Sequence, residues 1–509
     1  MKKGETGSNK AGLGKELALH GFIYALTNMI ARAVGFIMIP VYTHHLSPAQ
    51  YGIIELLDTT MAILALVAGQ RVSGAILRFY FDSEDPQRRS RIVSSGLIAC
   101  VCVTALLALG LQPFCPVLAK AIFGKPEYGV YIQLNLVSFV GSFVVNLCYT
   151  YVRILKKSML FLIVSISNLI LALSLNILFI VHLDLGVFGV LYSGMIATSS
   201  TAIILLIFTF RKVGFGWDWP LVKSMYVYIF PLVLGSLWSM AEDFLSRYFI
   251  RTLTGLTEVG IFSLAYKFGV INNFLITGPF FSIWNVKCWE LAKLPEGPEK
   301  MARIFTIFNF LALASGLALS IPAREIIQLA ADHRFASSAD FIPILVLGNI
   351  LLSQYYFFTF GMQWAKKTKY IGTISWIVGA TTIVLDYFLI RWLGLWGAAL
   401  AMLASSLFRN VLSFPTGQRL YRIPYEYGMV IKLFVLALGL FLTGRFVDLH
   451  SLIGNLAFHG VLVLLYPMIL VLSGFFRPEE ISAAKSMAIG LRAKIAGMFR
   501  ILVPLSRER

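Results

Sequence analysis

The chain has 509 residues, 58% of them hydrophobic and 13% charged, with a mean hydropathy of +0.79. A soluble chain of this length would make roughly three or four domains, but no soluble class joins so little charge to so much apolar and aromatic surface, so the composition is that of a polytopic membrane protein. The net charge of +18 would point to nucleic acid in a soluble protein, whereas here its placement around apolar runs gives it its meaning and no nucleic-acid partner is expected.

Apolar runs of about 20 residues, the length needed to cross a bilayer, recur fourteen times. They lie near 18–41, 52–77, 92–111, 129–151, 159–181, 187–210, 224–248, 258–284, 304–322, 339–363, 370–390, 394–414, 428–445 and 452–474. The expected fold is all-α and polytopic. The first run follows a basic tail (Lys2, Lys3, Lys10, Lys15), exceeds a signal-peptide core and has no small-residue cleavage site, so it is read as a retained helix. Outside segments hold only Lys120, Lys125, Arg251, Arg324, Arg334, Arg391 and Arg445, while the alternate segments carry most of the 43 Lys and Arg. Basic flanks stay inside, so both termini are expected in the cytoplasm. Beyond the last run, Met487, Ile489, Leu491, Ile495 and Phe499 alternate with Lys485, Arg492, Lys494 and Arg500, the pattern of an interfacial amphipathic helix on anionic lipid.

The chain repeats itself. Tyr51-Gly52-Ile53 and Val259-Gly260-Ile261 are 208 residues apart, as are Leu185-Gly186-Val187-Phe188-Gly189 and Leu393-Gly394-Leu395-Trp396-Gly397; Lys156-Lys157 and Lys366-Lys367 are 210 apart. Six spans per unit is an even number, so both copies enter from the same side and are expected to relate by a pseudo-two-fold along the membrane normal. The expected organisation is a basic N-tail (1–17), an N-lobe (18–210), a linker (211–223), a C-lobe (224–414), two further helices (415–474) and a basic cytoplasmic tail (475–509).

An ionisable side chain at mid-bilayer costs roughly 2.5–3.5 kcal/mol on insertion scales, so it tends to face a cavity or a partner. Arg32 lies 14 residues into the first span and Lys267 nine into the eighth, both deep enough to be candidates for a water-filled cavity, with a structural ion pair as the alternative. Arg71 and Arg78 are nearer the cytoplasmic end of the second span, where snorkelling competes with a basic cavity mouth. The acidic set is Glu55, Asp58, Glu242, Asp243 and Asp386; of these, Asp58, Glu242 and Asp243 are candidates for a proton- or cation-sensitive switch. Asp243 and Arg247 also have the i, i+4 spacing of a salt bridge. Pairing of Asp58 with Arg71 would need a distortion near Gly69 or Gly74, because an ideal helix sets them about 140° apart. Pro40, at the end of the first span, and Pro231, inside the seventh, are hinge candidates, Pro40 doubling as a terminator. His44 and His45 lack further metal ligands, and the five scattered Cys read as small hydrophobes.

Three stretches of sequence resemble a known family. Ile39-Pro40-Val41-Tyr42-Thr43, then Leu46-Ser47-Pro48-Ala49-Gln50-Tyr51-Gly52, then Ala75-Ile76-Leu77-Arg78-Phe79-Tyr80 resemble the N-terminal signature of polysaccharide transport flippases. Thr257-Glu258-Val259-Gly260-Ile261-Phe262-Ser263 through Ala265-Tyr266-Lys267 is similar to their C-lobe signature. The resemblance covers roughly 15–420 and is to the Wzx-like (O-antigen, teichoic acid and exopolysaccharide) branch of the MOP, MATE-like, exporter superfamily. It implies two six-helix lobes round a cavity open alternately to each face. It also implies a polyprenyl-diphosphate-linked oligosaccharide as substrate, with a polymerase and glycosyltransferases as pathway partners, in a bacterial or archaeal cytoplasmic membrane. A substrate role for cavity cations passes to Arg32, Arg78 and Lys267; Arg71 follows an atypical Gln70 and lacks that support. No P-loop, HExxH or GxSxG pattern occurs, so no catalytic residue, metal or cofactor is expected. The rival readings are a cation-coupled drug antiporter of the same superfamily and a membrane glycosyltransferase or polymerase.

Overall fold

Ser47-Pro48-Ala49-Gln50 illustrates how local chemistry sets the spans. The Ser47 hydroxyl accepts from the Gln50 N–H at 3.2 Å, the Gln50 carboxamide accepts from the Ser47 N–H at 2.8 Å, and Pro48 supplies a first helical residue that needs no donor. The computed structural model describes residues 5–480 and 482, with side chains from residue 23 except 25, 28, 231, 232 and 234–239. The expected amphipathic helix near 485–502 lies outside the described residues, as does the Pro231 side chain.

The first copy of the repeat comprises α1 (Glu5–His45), α2 (Pro48–Val67), α3 (Val72–Asp82), α4 (Pro86–Leu111), α5 (Cys115–Phe123), α6 (Gly129–Ile154), α7 (Ser158–Asn176) and α8 (Gly186–Val213). The second comprises α9 (Trp219–Leu253), α10 (Leu256–Gly269), α11 (Gly278–Leu291), α12 (Gly297–Ser320), α13 (Ala323–Ala330), α14 (Ser338–Phe358), α15 (Phe360–Trp364), α16 (Lys369–Leu393) and α17 (Leu395–Leu420). The chain continues into α18 (Tyr427–Phe446) and α19 (Leu452–Leu472), and no strand occurs among the described residues. The 208-residue offset extends to features the motifs did not reveal. The short helices α5 and α13 start 208 residues apart, and the left-handed turns at Lys156 (φ 54°) and Lys366 (φ 56°), and at Gly186 (φ 55°) and Gly394 (φ 58°), recur in register.

Among the described residues twelve helical stretches are long and apolar enough to cross a membrane, against the fourteen expected. The first and seventh expected spans fall within α1 and α9, helices of 41 and 35 residues whose side chains are described in part. Two expectations are corrected. Pro40 does not terminate α1, which runs five residues further; the Thr43 hydroxyl and the His44 ring hydrogen-bond back to the carbonyls of Ile39 and Pro40 and carry the last turn past the proline. The second span is not one helix, since the chain turns at 68–71 with Gly69 at φ +100°, separating α2 from α3.

Contacts divide the chain into two compact units, Met1–Ile271 with Ile326–Arg422 and Asn272–Glu325 with Ile423–Arg509. In the first, Val72, Ile76, Ile92, Phe143, Leu147 and Met225 bind α3, α4, α6 and α9 into a close-packed core. In the second, Phe308 is fully buried against Phe280 and Phe281, and Phe310 stacks on Tyr466 at 5.8 Å. The stretch 158–182 buries only 11% of its apolar window, against 56% for 86–123 and 297–320. Helices poor in charge thus support the bundle, and α7 faces the lipid.

Candidate functional site

The chemistry gathers where α2 of the first copy meets α10 of the second. Gly52 and Gly260, equivalent in the repeat, lie against each other. A Cβ on Gly52 would overlap the Leu256 carbonyl oxygen and one on Gly260 the Pro48 carbonyl oxygen, so the helices touch backbone to backbone. That approach brings the next turns within hydrogen-bonding reach. Lys267 Nζ lies 2.5 Å from Glu55 Oε1 and donates to the Tyr51 hydroxyl at 2.8 Å, the ammonium standing 4.9 Å from the Tyr51 ring centre. Tyr51 and Glu55 are buried, while the Lys267 side chain keeps 39% of its surface open. Tyr51 is braced edge-on by Phe335, and Arg334 donates to the carbonyls of Thr43 and His44 at 3.1 Å.

Around this pair stand the other predicted charges. Asp58, one turn beyond Glu55 on α2, is exposed yet within electrostatic reach of Glu55, Lys267 and Arg247. An exposed carboxylate within an apolar span and ringed by cations opens onto a polar space, not hydrocarbon. Asp243 accepts from the Tyr266 hydroxyl at 3.5 Å; Arg247, buried, stacks over the Tyr266 ring at 5.0 Å and donates to the Asp243 backbone carbonyl at 3.1 Å. The i, i+4 spacing therefore yields a bond to the backbone carbonyl in place of the expected bridge to the carboxylate. On α1, Phe36 packs edge-on against Phe268 at 6.0 Å; Arg32, one turn before Phe36, is exposed and shares its side of the helix. A second charged group lies deeper in the second copy. Glu242 meets Arg409 at 3.5 Å, Arg409 covers the Tyr355 ring at 5.5 Å, and Asp386 and the bonded hydroxyls of Thr382 and Ser405 lie alongside.

The remaining predicted cations are placed differently. Arg78 is 57% exposed on α3, pairs with Asp82 at 3.7 Å and covers the Tyr228 ring at 4.6 Å. Arg71 is exposed in the turn between α2 and α3, whose break supplies the distortion expected near Gly69. Sequence reasoning missed Tyr51, Tyr266 and Arg409. Arg409 carried a usable signal, a charge 15 residues into α17, whereas a Tyr that binds Lys from another helix leaves none.

Helices alone, a 208-residue repeat and charges buried where the copies touch define the fold of a MOP-superfamily transporter. The chain belongs to the polysaccharide biosynthesis protein family, whose profile matches residues 18–283, just over half its length. Among solved structures it is similar to the lipid II flippase MurJ in an inward closed conformation, at 13% identity and a TM-score of 0.73, over 89% of this chain and 100% of that one. It is also similar to an inward-facing multidrug resistance MATE family transporter of the MOP superfamily, at 18% identity and a TM-score of 0.54, over 79% of this chain and 99% of that one. No curated protein matches it by sequence.

Proposed function

We propose that the protein is a flippase carrying a polyprenyl-diphosphate-linked oligosaccharide from the cytoplasmic to the outer leaflet by alternating access of two repeated lobes. The observation that carries this reading is the Lys267 ammonium, part-open among Tyr51, Glu55 and Asp58 at the contact of the two copies. The family and the MurJ-like fold support the lipid-linked cargo. A diphosphate entering the polar space competes with Glu55 for the ammonium, with Arg32 as a second, guanidinium ligand suited to phosphate geometry. Once Glu55 is released, one tie between α2 and α10 is undone, so anion binding favours separation of the two helices at the Gly52–Gly260 contact. Tyr51, Tyr266 and Tyr42 offer rings and hydroxyls to sugars. Arg71 and Arg78 form an exposed basic approach on the face where Lys and Arg concentrate. With no nucleotide motif in the chain, the energy comes from an ion gradient, the membrane potential or consumption of product. Asp58 and Asp243 are the open carboxylates for coupling, and at Glu242 an ion or proton has to compete with Arg409.

A deletion strain complemented with variants tests this. Loss of the protein should make lipid-linked oligosaccharide accumulate on the cytoplasmic side. Lys267→Ala and Arg32→Ala should reproduce that accumulation while remaining folded and inserted, and Arg32→Lys should restore more export than Arg32→Ala. Wild-type export by both alanine variants would remove the anionic-cargo reading.

A further inference from the structure

Away from the α2–α10 contact, a cavity of about 330 Å³ opens at the basic face between the end of α3 and the starts of α4 and α9. Its charged lining is balanced, with Arg88 and Arg91 facing Asp85 and Asp218, while Phe79, Pro220 and Leu221 supply apolar wall. Among the described residues none of these four side chains makes an ion pair with another residue. Both arginines are exposed and donate no side-chain hydrogen bond, so four charges border one space without neutralising each other. The carboxylates are fixed in place. Asp85 accepts from the Gln87 and Arg88 N–H groups at 3.0 and 3.2 Å, and Asp218 from the Leu221 N–H at 3.1 Å, which leaves lone pairs on each for an outside donor.

The segment carrying Asp218 is held against α4. The hydroxyls of Ser94 and Ser95 donate to the Gly216 carbonyl at 2.9 and 3.2 Å, and the Asp218 N–H donates to Ser95 at 3.0 Å. Phe215, Trp217 and Trp219 project from this segment, all exposed, with Phe215 stacked on Phe210 at 4.3 Å and Trp217 on Trp219 at 6.2 Å. Exposed Trp beside basic residues is the composition of a membrane–water interface, which sets the cavity at headgroup depth.

We propose that this cavity binds the phosphoethanolamine headgroup of a membrane phospholipid, the phosphate on Arg88 and Arg91 and the ammonium on Asp85 and Asp218, with the start of the acyl region against Phe79 and Leu221. A zwitterion satisfies all four charges together, whereas an anionic headgroup leaves the two carboxylates facing like charge. A trimethylated ammonium, with no N–H to donate, forfeits the hydrogen bonds to Asp85 and Asp218.

The test is lipid retention by the purified full-length protein. After delipidation, phosphatidylethanolamine, phosphatidylcholine and phosphatidylglycerol are added back in equal amounts, and the bound lipid is identified by native mass spectrometry. The wild type should retain phosphatidylethanolamine above both others. Arg88→Gln with Arg91→Gln should lower its retention about tenfold, the loss of two charge-assisted hydrogen bonds. Asp85→Asn with Asp218→Asn keeps both helix caps, because Asn caps as well as Asp, so it should fold as the wild type does yet lose the preference over phosphatidylglycerol. Equal retention of the three lipids by the wild type would overturn the proposal. So would unchanged retention in the Arg88→Gln/Arg91→Gln protein, or inorganic phosphate displacing phosphatidylethanolamine at equal concentration, which would make the cavity a site for a free anion.

Discussion

Arg409 shows how a buried charge ties its neighbours together. Its side chain is 14% exposed and faces a single carboxylate, Glu242, across the Tyr355 ring. Breaking such a pair from one side leaves the other charge stranded, at about 3–5 kcal/mol, whereas removing both charges together is far milder. Glu242→Ala should therefore lower the thermal unfolding temperature in detergent more than Glu242→Ala with Arg409→Ala; a double variant at least as unstable as the single would show that the pair contributes nothing. Residues of this kind differ in how legible they are. Lys267, Asp58 and Arg32 stand out because a charge in an apolar run is conspicuous on its own. Glu55 as the partner of Lys267 does not, since the two are 212 residues apart and neither spacing nor periodicity encodes contact across a repeat. Tyr51 is less visible still, being an aromatic residue in a span rich in them.

At the scale of elements, span positions were readable because hydrocarbon demands a minimum apolar length, and helix ends followed from local signals such as Ser47-Pro48 and Asp85-Pro86. The break after α2 and the short helices α5 and α13 were not readable, because a turn at Gly69 keeps the chain apolar and a nine-residue helix in an outer loop is shorter than the period being sought. Gly52 and Gly260 carry the tightest helix contact. Alanine would raise helix propensity by about 0.5–1 kcal/mol, but here the added methyl meets carbonyl oxygens of the facing backbone, which cannot turn aside, and overpacking costs about 1–3 kcal/mol. Packing wins. Gly52→Ala and Gly260→Ala should each lower the unfolding temperature and reduce export; a rise in stability with full export would show that the helices part without resistance.

The whole molecule has two compact units, and the second is tied off by Arg303. Its guanidinium, 7% exposed, donates to Glu480 at 2.6 and 2.7 Å, to Glu426 at 3.3 Å and to the Phe475 carbonyl at 2.8 Å, pinning the chain after α19 to the start of α12. Burial raises the tendency of Glu480 to hold its proton, but the Arg303 hydrogen bonds and charge and the Arg477 N–H outweigh it, leaving the carboxyl below its usual range. A carboxyl depressed in the folded state adds stability above its ordinary range and loses that contribution as pH falls through its folded value. Wild-type protein should accordingly lose stability on acidification more steeply than Glu480→Gln, which should itself be less stable at neutral pH by about 1–3 kcal/mol; parallel acid limbs would assign the loss elsewhere. The Lys267–Glu55 pair has a consequence for the transport cycle as a whole. With the ammonium already balanced by its own carboxylate, a diphosphate arrives as uncompensated negative charge, so the loaded carrier moves charge through the membrane field and the empty pair does not. An interior-negative potential acts on each charge by about 2.3 kcal/mol per 100 mV, which would push the cargo-bearing step outward and leave the return step indifferent to voltage.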